Sequence, residues 1–311
     1  MIVIDNYSEK ILESNNYVAL GSFDGLHKGH LSLINKAVEI AEKKSGKSMV
    51  FTFKNHPRCF MDKGFCSKLI MENEKKIEIL EDENVDILCF KDFDTEFMKL
   101  TPKEFIQLLI DKYNVKGIIV GFNYKFGYKN LGNVKLLEEL KKIFNYELYV
   151  IDKCLYDGDV ISSTRIRNLI LEGDVSEAAE MLSRPYSLNG EVVHGRKIGR
   201  TMGFPTANLD VNKNLILPKI GVYYTNVKVN NNIYKGITNI GNNPTVNGKK
   251  ITIETYILDF DEDIYGKYIE VSFIKKIRDG KKFNSLQELK EELERNKEFA
   301  RNEKLYIYSI W

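Results

Sequence analysis

Short apolar segments alternate with longer amphipathic ones from Tyr17 to about residue 183. Apolar residues recur every three or four positions in the longer segments, which predicts helices, whereas the short apolar runs are typical of buried strands. The predicted strands are 17–23, 48–53, 86–90, 115–121 and 146–152, and the predicted helices are 28–44, 74–85, 102–113 and 133–144. This alternation predicts an α/β domain with a doubly wound, Rossmann-like parallel sheet and ligand sites at the carboxyl ends of its strands.

A domain boundary is predicted close to Pro185, because the residue pattern of the sequence changes there. The preceding segment, 164–184, has the pattern of two helices separated at Gly173. A chain of 311 residues is long for one core and suits two domains. We therefore expect one domain over 1–183 and a second over 184–311.

The second domain is predicted to be a small antiparallel β-barrel. The segment 186–277 is rich in Val, Ile, Tyr and Thr with frequent Gly, Asn and Pro, and two apolar runs around the sequence NNN predict a hairpin. A terminal amphipathic helix is expected to pack against this barrel. Its apolar face would carry Leu286, Leu289, Leu293 and Phe299.

Composition places the chain among ordinary soluble globular proteins, with 43% hydrophobic and 29% charged residues and a net charge of +2. This charge gives no reason to expect nucleic acid or an anionic membrane as a partner. The four cysteines, Cys59, Cys66, Cys89 and Cys154, form no C-x-x-C pair and are expected to be reduced and mostly buried. No secretion signal and no apolar run of about 20 residues is present, so we expect a cytoplasmic protein.

The stretch GSFDGLHKGH follows the first strong strand and precedes the first strong helix. Gly21, Gly25 and Gly29 allow tight turns and close approach of a ligand, and a helix N-terminus attracts anions. His27 and His30 could donate hydrogen bonds to phosphate oxygens there. The same residues also fit a metal-binding histidine pair or an ordinary Asp-Gly turn, and the stretch alone does not separate these three interpretations.

A second unusual stretch, ISSTRIR, begins a helix late in the same domain. Ser162, Ser163 or Thr164 could simply cap that helix. The arginines Arg165 and Arg167 point to different faces, so only one can share a site, and Arg167 is the better candidate for a phosphate clamp.

The β-rich half contains a third such stretch, HGRKIGRTMGFPTANLD. Its glycines, Gly195, Gly199 and Gly203, alternate with the basic residues Arg196, Lys197 and Arg200, which could lie over phosphates. Thr206 and Asn208 lie two apart, on one side of a strand, with oxygen atoms suited to magnesium. A solvated basic hairpin loop is the alternative interpretation of these residues.

GSFDGLHKGH and ISSTRIR together resemble the paired signature of the H-x-G-H nucleotidyltransferase superfamily. KNHPR and GFNYKFGYKNLG, which lie between them, resemble the bacterial FAD synthetase branch. The resemblance implies that the phosphate of FMN attacks the α-phosphorus of ATP and that pyrophosphate leaves. By the same resemblance Gly21, Phe23, Gly25, His27, His30, Ser163, Thr164 and Arg167 bind ATP, His27, His30 and Arg167 act in catalysis, and Asn123 touches the flavin or the nucleotide.

GRTMGFPTANL resembles the riboflavin kinase signature around its P-T-A-N motif, and further landmarks of that family follow in order as far as IRDGKKFNSLQELK. The resemblance implies transfer of the γ-phosphate of ATP to the 5′-hydroxyl of riboflavin. Glu254 would accept the hydroxyl proton and contact the flavin, Thr206 and Asn208 would hold Mg²⁺, and Gly195, Gly199 and Gly203 would bind ATP. Tyr256 and Asn296 depart from the residues common in that family.

The order of the two resemblances is that of bacterial bifunctional FAD synthetases. It implies that the chain makes FMN from riboflavin and FAD from FMN, with ATP and Mg²⁺ in both steps. Two alternatives are a chain that has kept one activity and a flavin-sensing or RNA-binding regulator built on a retired enzyme. The presence of the candidate catalytic residues argues against both, and the net charge argues against RNA binding. Phe60, Met61 and Phe65 could stack on the flavin ring or serve packing alone.

Overall fold

The computed structural model describes residues 1–5, 12–57, 67–195, 199, 203–245 and 248–306, with the backbone alone for 243–245 and 248–250. The chain divides into two compact units, Met1–Ser163 and Thr164–Trp311. Each unit is described by itself.

The first unit is built around a parallel sheet. Its strands are β1 (Ile2–Ile4), β2 (Asn16–Leu20), β3 (Lys47–Phe53), β4 (Ile87–Lys91), β5 (Val115–Gly121), β6 (Lys125–Phe126), β7 (Gly132–Asn133), β8 (Glu147–Ile151), β9 (Leu155–Tyr156) and β10 (Asp159–Val160). Its helices are α1 (Lys28–Lys43), α2 (Asn73–Asp82), α3 (Thr95–Lys99), α4 (Pro102–Tyr113) and α5 (Val134–Phe144). The main sheet has the order β1-β4-β3-β2-β5-β8 with parallel neighbours, which confirms the predicted doubly wound architecture.

Both faces of the sheet are covered at its central strands, which explains why β2 is a continuous apolar run after Asn16. Successive side chains of a strand point to opposite faces. Val18 of β2 therefore packs in one core with residues of α4 and α5, whereas its neighbour Ala19 packs in another core with residues of α1 and α2. All five residues of β2 are buried as a result.

Among the elements that the sequence patterns did not predict are β1 and α3. Strand β1 has three residues and pairs with β4 at the edge of the sheet. Helix α3 has five residues, none of them buried. Both are too short to show a periodic pattern, because a period has to repeat before it can be recognised.

The order of the strands reverses between β2 and β5. The chain runs from β2 outward through β3 to β4 on one side, whereas β5 and β8 lie on the other side of β2. In open α/β sheets, ligands bind in the crevice outside the carboxyl ends of the strands at such a reversal. The GSFDGLHKGH stretch follows β2 and the GFNYKFG stretch follows β5, so the two meet at this crevice.

The second unit is a closed antiparallel barrel with helices. Its elements are α6 (Ser163–Glu172), which starts at the last residue of the first unit, α7 (Val175–Leu182), β11 (Tyr186–Val193), β12 (Thr206–Val211), β13 (Gly221–Val229), β14 (Asn232–Thr245), β15 (Gly248–Ile257), β16 (Tyr268–Asp279) and α8 (Leu286–Asn302). The barrel order is β11-β12-β15-β14-β13-β16, and β16 pairs back to β11. The predicted barrel, the break at Gly173 and the hairpin at NNN are confirmed.

The packing face of α8 differs from the predicted one. Leu286 is 68% exposed, whereas Asn296 and Ala300 are buried and Phe299 packs partly against the barrel. Apolar contact with the barrel is therefore made by the last turns of the helix, where the small Ala300 allows close approach. Leu286 was wrongly assigned to this face, because helical spacing alone does not reveal which turns of a helix reach its neighbour.

Candidate active sites

A cavity of about 630 Å³ opens at the carboxyl ends of β2 and β5. Its lining includes Gly21, Phe23, His27, His30, Asn123 and Ser163. These residues come from three separate segments of the sequence. The structure thus brings most of the first unit's predicted site residues to one cavity.

The loop from β2 to α1 has an unusual backbone. Phe23, Gly25 and Leu26 have φ values of 45°, 86° and 39°, in the left-handed region that favours glycine. A Cβ atom on Gly21 would lie 2.7 Å from the Phe23 ring, so glycine is required there while that ring keeps its place. Gly25 does not line the cavity, and a Cβ atom on it would lie 3.1 Å from the Ile70 side chain.

The two histidines lie at the start of α1. His27 is the N-cap, and its Nδ1 accepts a hydrogen bond from the backbone N–H of His30 at 3.3 Å. Their rings are stacked, with centroids 3.6 Å apart and an interplanar angle of 17°. Imidazole lone pairs lie in the ring plane, so two stacked rings do not converge on one ion. The described residues also contain no group of three or more metal-ligating His, Cys, Asp or Glu.

Ser163 connects the ISSTRIR stretch to this loop, because its Oγ donates a hydrogen bond of 3.0 Å to the Asp24 carbonyl. Arg165 forms an ion pair of 3.1 Å with Glu177 between α6 and α7, and the choice of Arg167 as the phosphate-binding arginine stays a prediction. Thr164 and Arg167 belong to the second unit, and their part in ATP binding stays a prediction.

Aromatic side chains form a wall of the same cavity that the sequence patterns did not single out. These are Phe53, Phe93, Phe97, Phe105, Tyr124 and Phe126. Tyr124 and Phe126 are stacked at 5.5 Å, and Phe93 meets Phe53 edge-on at 5.1 Å. The high frequency of phenylalanine between residues 90 and 97 is the sequence feature that could have indicated this wall. Phe60, Met61 and Phe65, the flavin candidates from the sequence, lie outside the described residues, as do Cys59 and Cys66.

The two remaining cysteines have different surroundings. Cys89 is fully buried in the sheet, and burial raises the pKa of its thiol to about 11. Cys154 is half-buried and lines the cavity. Both are free thiols, as predicted for them.

The second candidate site lies on the barrel, where β12 and β15 pair. Asn208 is directly opposite Glu254, and Thr206 is opposite Tyr256. Thr206 and Asn208 alternate with the buried residues Ala207 and Leu209, so both point to the outer face of the barrel. Side chains at opposed positions share a face, which places the Glu254 carboxylate beside the Asn208 amide.

Gly195 and Gly199 leave room for their neighbours in this site. A Cβ atom on Gly195 would lie 2.3 Å from Asn208 Nδ2, and one on Gly199 would lie 2.3 Å from the Phe204 carbonyl. Gly203 has a φ of +83°. The basic residues Arg196, Lys197 and Arg200 lie outside the described residues.

A cavity of about 510 Å³ adjoins Thr206 and Asn208. Its other side is formed by the segment 260–265, in which the Tyr265 ring packs against His194 with ring centroids 3.9 Å apart and an interplanar angle of 40°. Sequence reasoning used this segment as a family landmark but assigned no site residue in it. On the other flank Phe204 contacts Tyr256 at 5.3 Å, with the Lys297 ammonium 5.5 Å from the Phe204 ring.

Comparisons with known proteins identify the family that each part of the chain resembles. The FAD synthetase family model matches residues 9–165 and the riboflavin kinase family model matches residues 182–304. A bifunctional riboflavin kinase/FMN adenylyltransferase from Listeria monocytogenes is 37% identical over 92% of this chain and 92% of its own. The enzyme of the same description from Buchnera aphidicola is 39% identical over 91% of this chain and 92% of its own.

A solved structure described as a macrolide-efflux protein from Streptococcus pneumoniae has the same fold, with a TM-score of 0.90 and 34% identity over 98% of this chain and 100% of that one. In the described part of the present chain, no helix has the length and apolar character needed to cross a membrane. With two family models covering successive parts of the chain and relatives matched over nine-tenths of their length, the chain belongs to the bifunctional riboflavin kinase/FMN adenylyltransferase family.

Proposed function

We propose that adenylyl transfer to FMN takes place in the cavity at the carboxyl ends of β2 and β5. The observation that carries this assignment is that His27, His30 and Ser163 line the same cavity as Asn123 and the aromatic wall. An oxygen of the FMN phosphate attacks the α-phosphorus of ATP, and the bond from that phosphorus to the pyrophosphate oxygen breaks. The residues contribute positioning and charge stabilisation rather than covalent chemistry.

Within this cavity, the triphosphate of ATP lies at the start of α1. Backbone N–H groups and the positive end of the helix favour an anion there, and the His27 and His30 rings border the same space. Gly21, Phe23 and Gly25 shape the loop, and Ser163 holds the β- and γ-phosphates, a task that the family resemblance also assigns to Thr164 and Arg167. The isoalloxazine ring of FMN lies against the aromatic wall, with Asn123 contacting its polar edge.

Phosphorylation of riboflavin takes place on the outer face of the barrel at β12 and β15. Glu254 accepts the proton of the riboflavin 5′-hydroxyl, since a primary alcohol is a poor nucleophile without a base. The hydroxyl oxygen then attacks the γ-phosphorus of ATP, and ADP leaves. Gly195, Gly199 and Gly203 lie along the phosphates of ATP in this proposal.

Thr206 and Asn208 fit a magnesium ion. They offer a hydroxyl and an amide oxygen on one face beside the Glu254 carboxylate, and such oxygen ligands suit a hard cation. Gly195 leaves room for the Asn208 amide, because a Cβ atom there would lie 2.3 Å from Asn208 Nδ2. When bound, Mg²⁺ would neutralise charge on the phosphate oxygens.

The proposed domains are an adenylyltransferase over 1–183 and a kinase over 184–311. This division is supported by the family matches, which end at 165 and begin at 182. We also propose a cytoplasmic enzyme with small-molecule partners, namely riboflavin, FMN, ATP and FAD, and with no nucleic-acid or membrane partner.

Two variants test the residue assignments against each other. His30→Ala is expected to lower FAD formation from FMN at least about a hundredfold while riboflavin phosphorylation stays at the wild-type rate, because one group of the triphosphate site is lost. Glu254→Gln should do the reverse, since the amide cannot take the hydroxyl proton. The flavins are separated by chromatography after incubation with ATP and Mg²⁺.

In each variant, the activity that is kept shows that the unit carrying the other site is intact. Wild-type FAD formation by His30→Ala would show that the first site is wrongly assigned. Wild-type riboflavin phosphorylation by Glu254→Gln would exclude this carboxylate as the base.

A further inference from the structure

Helix α2 places a lysine in the interior of the first unit. Lys76 is 4% exposed and is buried on the same side of the helix as Leu80. Lysine is among the residues least often buried, because transfer of an ammonium group from water costs free energy that its contacts must offset. Neither the sequence motifs nor the reaction described above uses this residue.

The Lys76 ammonium lies beneath the loop that carries GSFDG. Its Nζ donates to the Ser22 carbonyl at 3.4 Å and to the Phe53 carbonyl at 3.3 Å. Ser22 belongs to the loop after β2, and Phe53 is the last residue of β3. The Ser22 carbonyl also accepts a hydrogen bond of 2.9 Å from Thr52 Oγ1. Lys76 therefore joins the carboxyl ends of two adjacent strands at the edge where ATP is proposed to bind.

The same loop carries a buried carboxylate. Asp24 is 3% exposed and accepts a hydrogen bond of 3.0 Å from the Ile70 backbone N–H. A carboxylate in a loop that receives a triphosphate would repel it unless a cation lies nearby. Lys76 is such a cation, since its Nζ contacts the Ser22 carbonyl two residues before Asp24, and the Asp24 charge acts to raise its pKa.

Burial nevertheless lowers the pKa of Lys76 to about 8. Asp24, from the β2–α1 loop, is the charged group that acts on it among the described residues, whereas β3 and β4 present the Phe53 carbonyl and the Phe90 ring, 5.4 Å from Nζ. An apolar side chain of similar length would fill this place without the desolvation cost. A charge kept at such a cost indicates a role in function.

We propose that Lys76 is a positioning residue for adenylyl transfer, which holds the loop 21–25 in its ATP-binding shape and neutralises Asp24 beneath the triphosphate. It acts through the loop and touches neither substrate. This inference rests on the proposed location of the ATP site in the first unit.

The test compares Lys76→Met with Lys75→Met in the full chain. Lys75 is the preceding residue on the same helix and forms an ion pair of 3.0 Å with Glu78, so its replacement also removes a charge from α2. Lys76→Met is expected to raise the KM for ATP in FAD formation by about tenfold or more, with the KM for FMN changed less than about twofold. Lys75→Met should match the wild type in both values, and riboflavin phosphorylation should be unchanged in both variants.

Two further measurements separate this role from simple packing. Adding Asp24→Asn to Lys76→Met removes the carboxylate whose charge Lys76 is proposed to neutralise and should restore most of the ATP affinity. The second measurement uses the wild type and so does not depend on the folding of a variant. Its KM for ATP in FAD formation should rise as the pH passes about 8, where Lys76 loses its proton. Lys76→Met should lack this rise.

A KM for ATP in Lys76→Met equal to that of Lys75→Met would overturn the inference, and so would a wild-type KM that stays constant through pH 8. His30→Ala is assayed alongside. If His30→Ala loses FAD formation while Lys76→Met behaves as Lys75→Met, the site stands and the role of Lys76 is wrong. If His30→Ala retains FAD formation, the location of the site itself is wrong.

Discussion

At the residue scale, the position of the Asn208 side chain in the second site depends on the absence of a side chain at Gly195. Gly195 has no side chain, and its φ lies outside the left-handed region, so an alanine there would adopt the same backbone without strain. The added Cβ would lie 2.3 Å from Asn208 Nδ2, a separation that real Cβ atoms do not show. The Asn208 side chain would have to turn away from its place beside Glu254. The lack of a side chain at Gly195 thus leaves the space that the proposed magnesium ligand occupies.

Gly195→Ala is accordingly expected to raise the Mg²⁺ concentration for half-maximal riboflavin phosphorylation by about tenfold or more, the effect typical of losing a group that orients a metal ligand. The measurement is a Mg²⁺ titration of FMN formation, with FAD formation from supplied FMN as the control. An unchanged titration curve would show that the Asn208 side chain does not hold the metal.

At the scale of elements, helix α4 contributes one residue to the aromatic wall and packs against the core of the sheet. Phe105 lines the cavity and Leu109 lies in the core of the sheet. The helix begins with a capping box, in which Thr101 Oγ1 accepts a hydrogen bond from the Glu104 backbone N–H at 3.3 Å. The Glu104 carboxylate accepts one from the Thr101 backbone N–H at 2.7 Å, which lowers the pKa of Glu104. Because this pKa is lowered on folding, its stabilising effect is present at neutral pH and disappears as the pH falls through the lowered value.

Thr101→Ala is expected to lower the free energy of unfolding of the first unit by about 1 kcal/mol, because the first turn of α4 loses its cap. Thr101→Ser keeps the hydroxyl and should lie within about 0.5 kcal/mol of the wild type. Urea unfolding at neutral pH, followed by circular dichroism, measures both. Equal losses in the two variants would mean that the threonine methyl group, and not the cap, is responsible.

At the scale of the whole molecule, the chain carries two compact units, each with its own cavity and its own half of the chemistry. FMN is the product of the kinase and the substrate of the adenylyltransferase. Release of FMN into solution between the steps is the simpler expectation, since each unit provides a separate site.

Incubation of labelled riboflavin with an excess of unlabelled FMN tests this expectation. The FAD formed should have the same specific label as the mixed FMN pool, because released FMN exchanges with that pool before it is adenylylated. The specific label of FMN and FAD is followed over time by chromatography. FAD that is more strongly labelled than the pool would demonstrate direct transfer instead.

Local patterns were sufficient for much of this molecule. The alternation of apolar runs and amphipathic segments predicted the parallel sheet, and Gly173 and NNN predicted a break and a turn, because these features depend on neighbouring residues along the chain. The motifs likewise identified His27, His30, Ser163 and Asn123, which line one cavity. Short elements such as β1 were not predicted, since three residues cannot show a period.

Tertiary structure decided the features that depend on distant pairing. The crevice lies where it does because β5 pairs with β2 on the side opposite to β3, and strand order is not encoded by any local period. The aromatic wall is assembled from separate segments, and the pairing of Asn208 with Glu254 depends on strand register. Lys76 has the sequence context of an ordinary surface lysine on a charged helix. Only the packing of α2 against the sheet buries it beneath the GSFDG loop, because burial is a property of the folded chain and not of the residue.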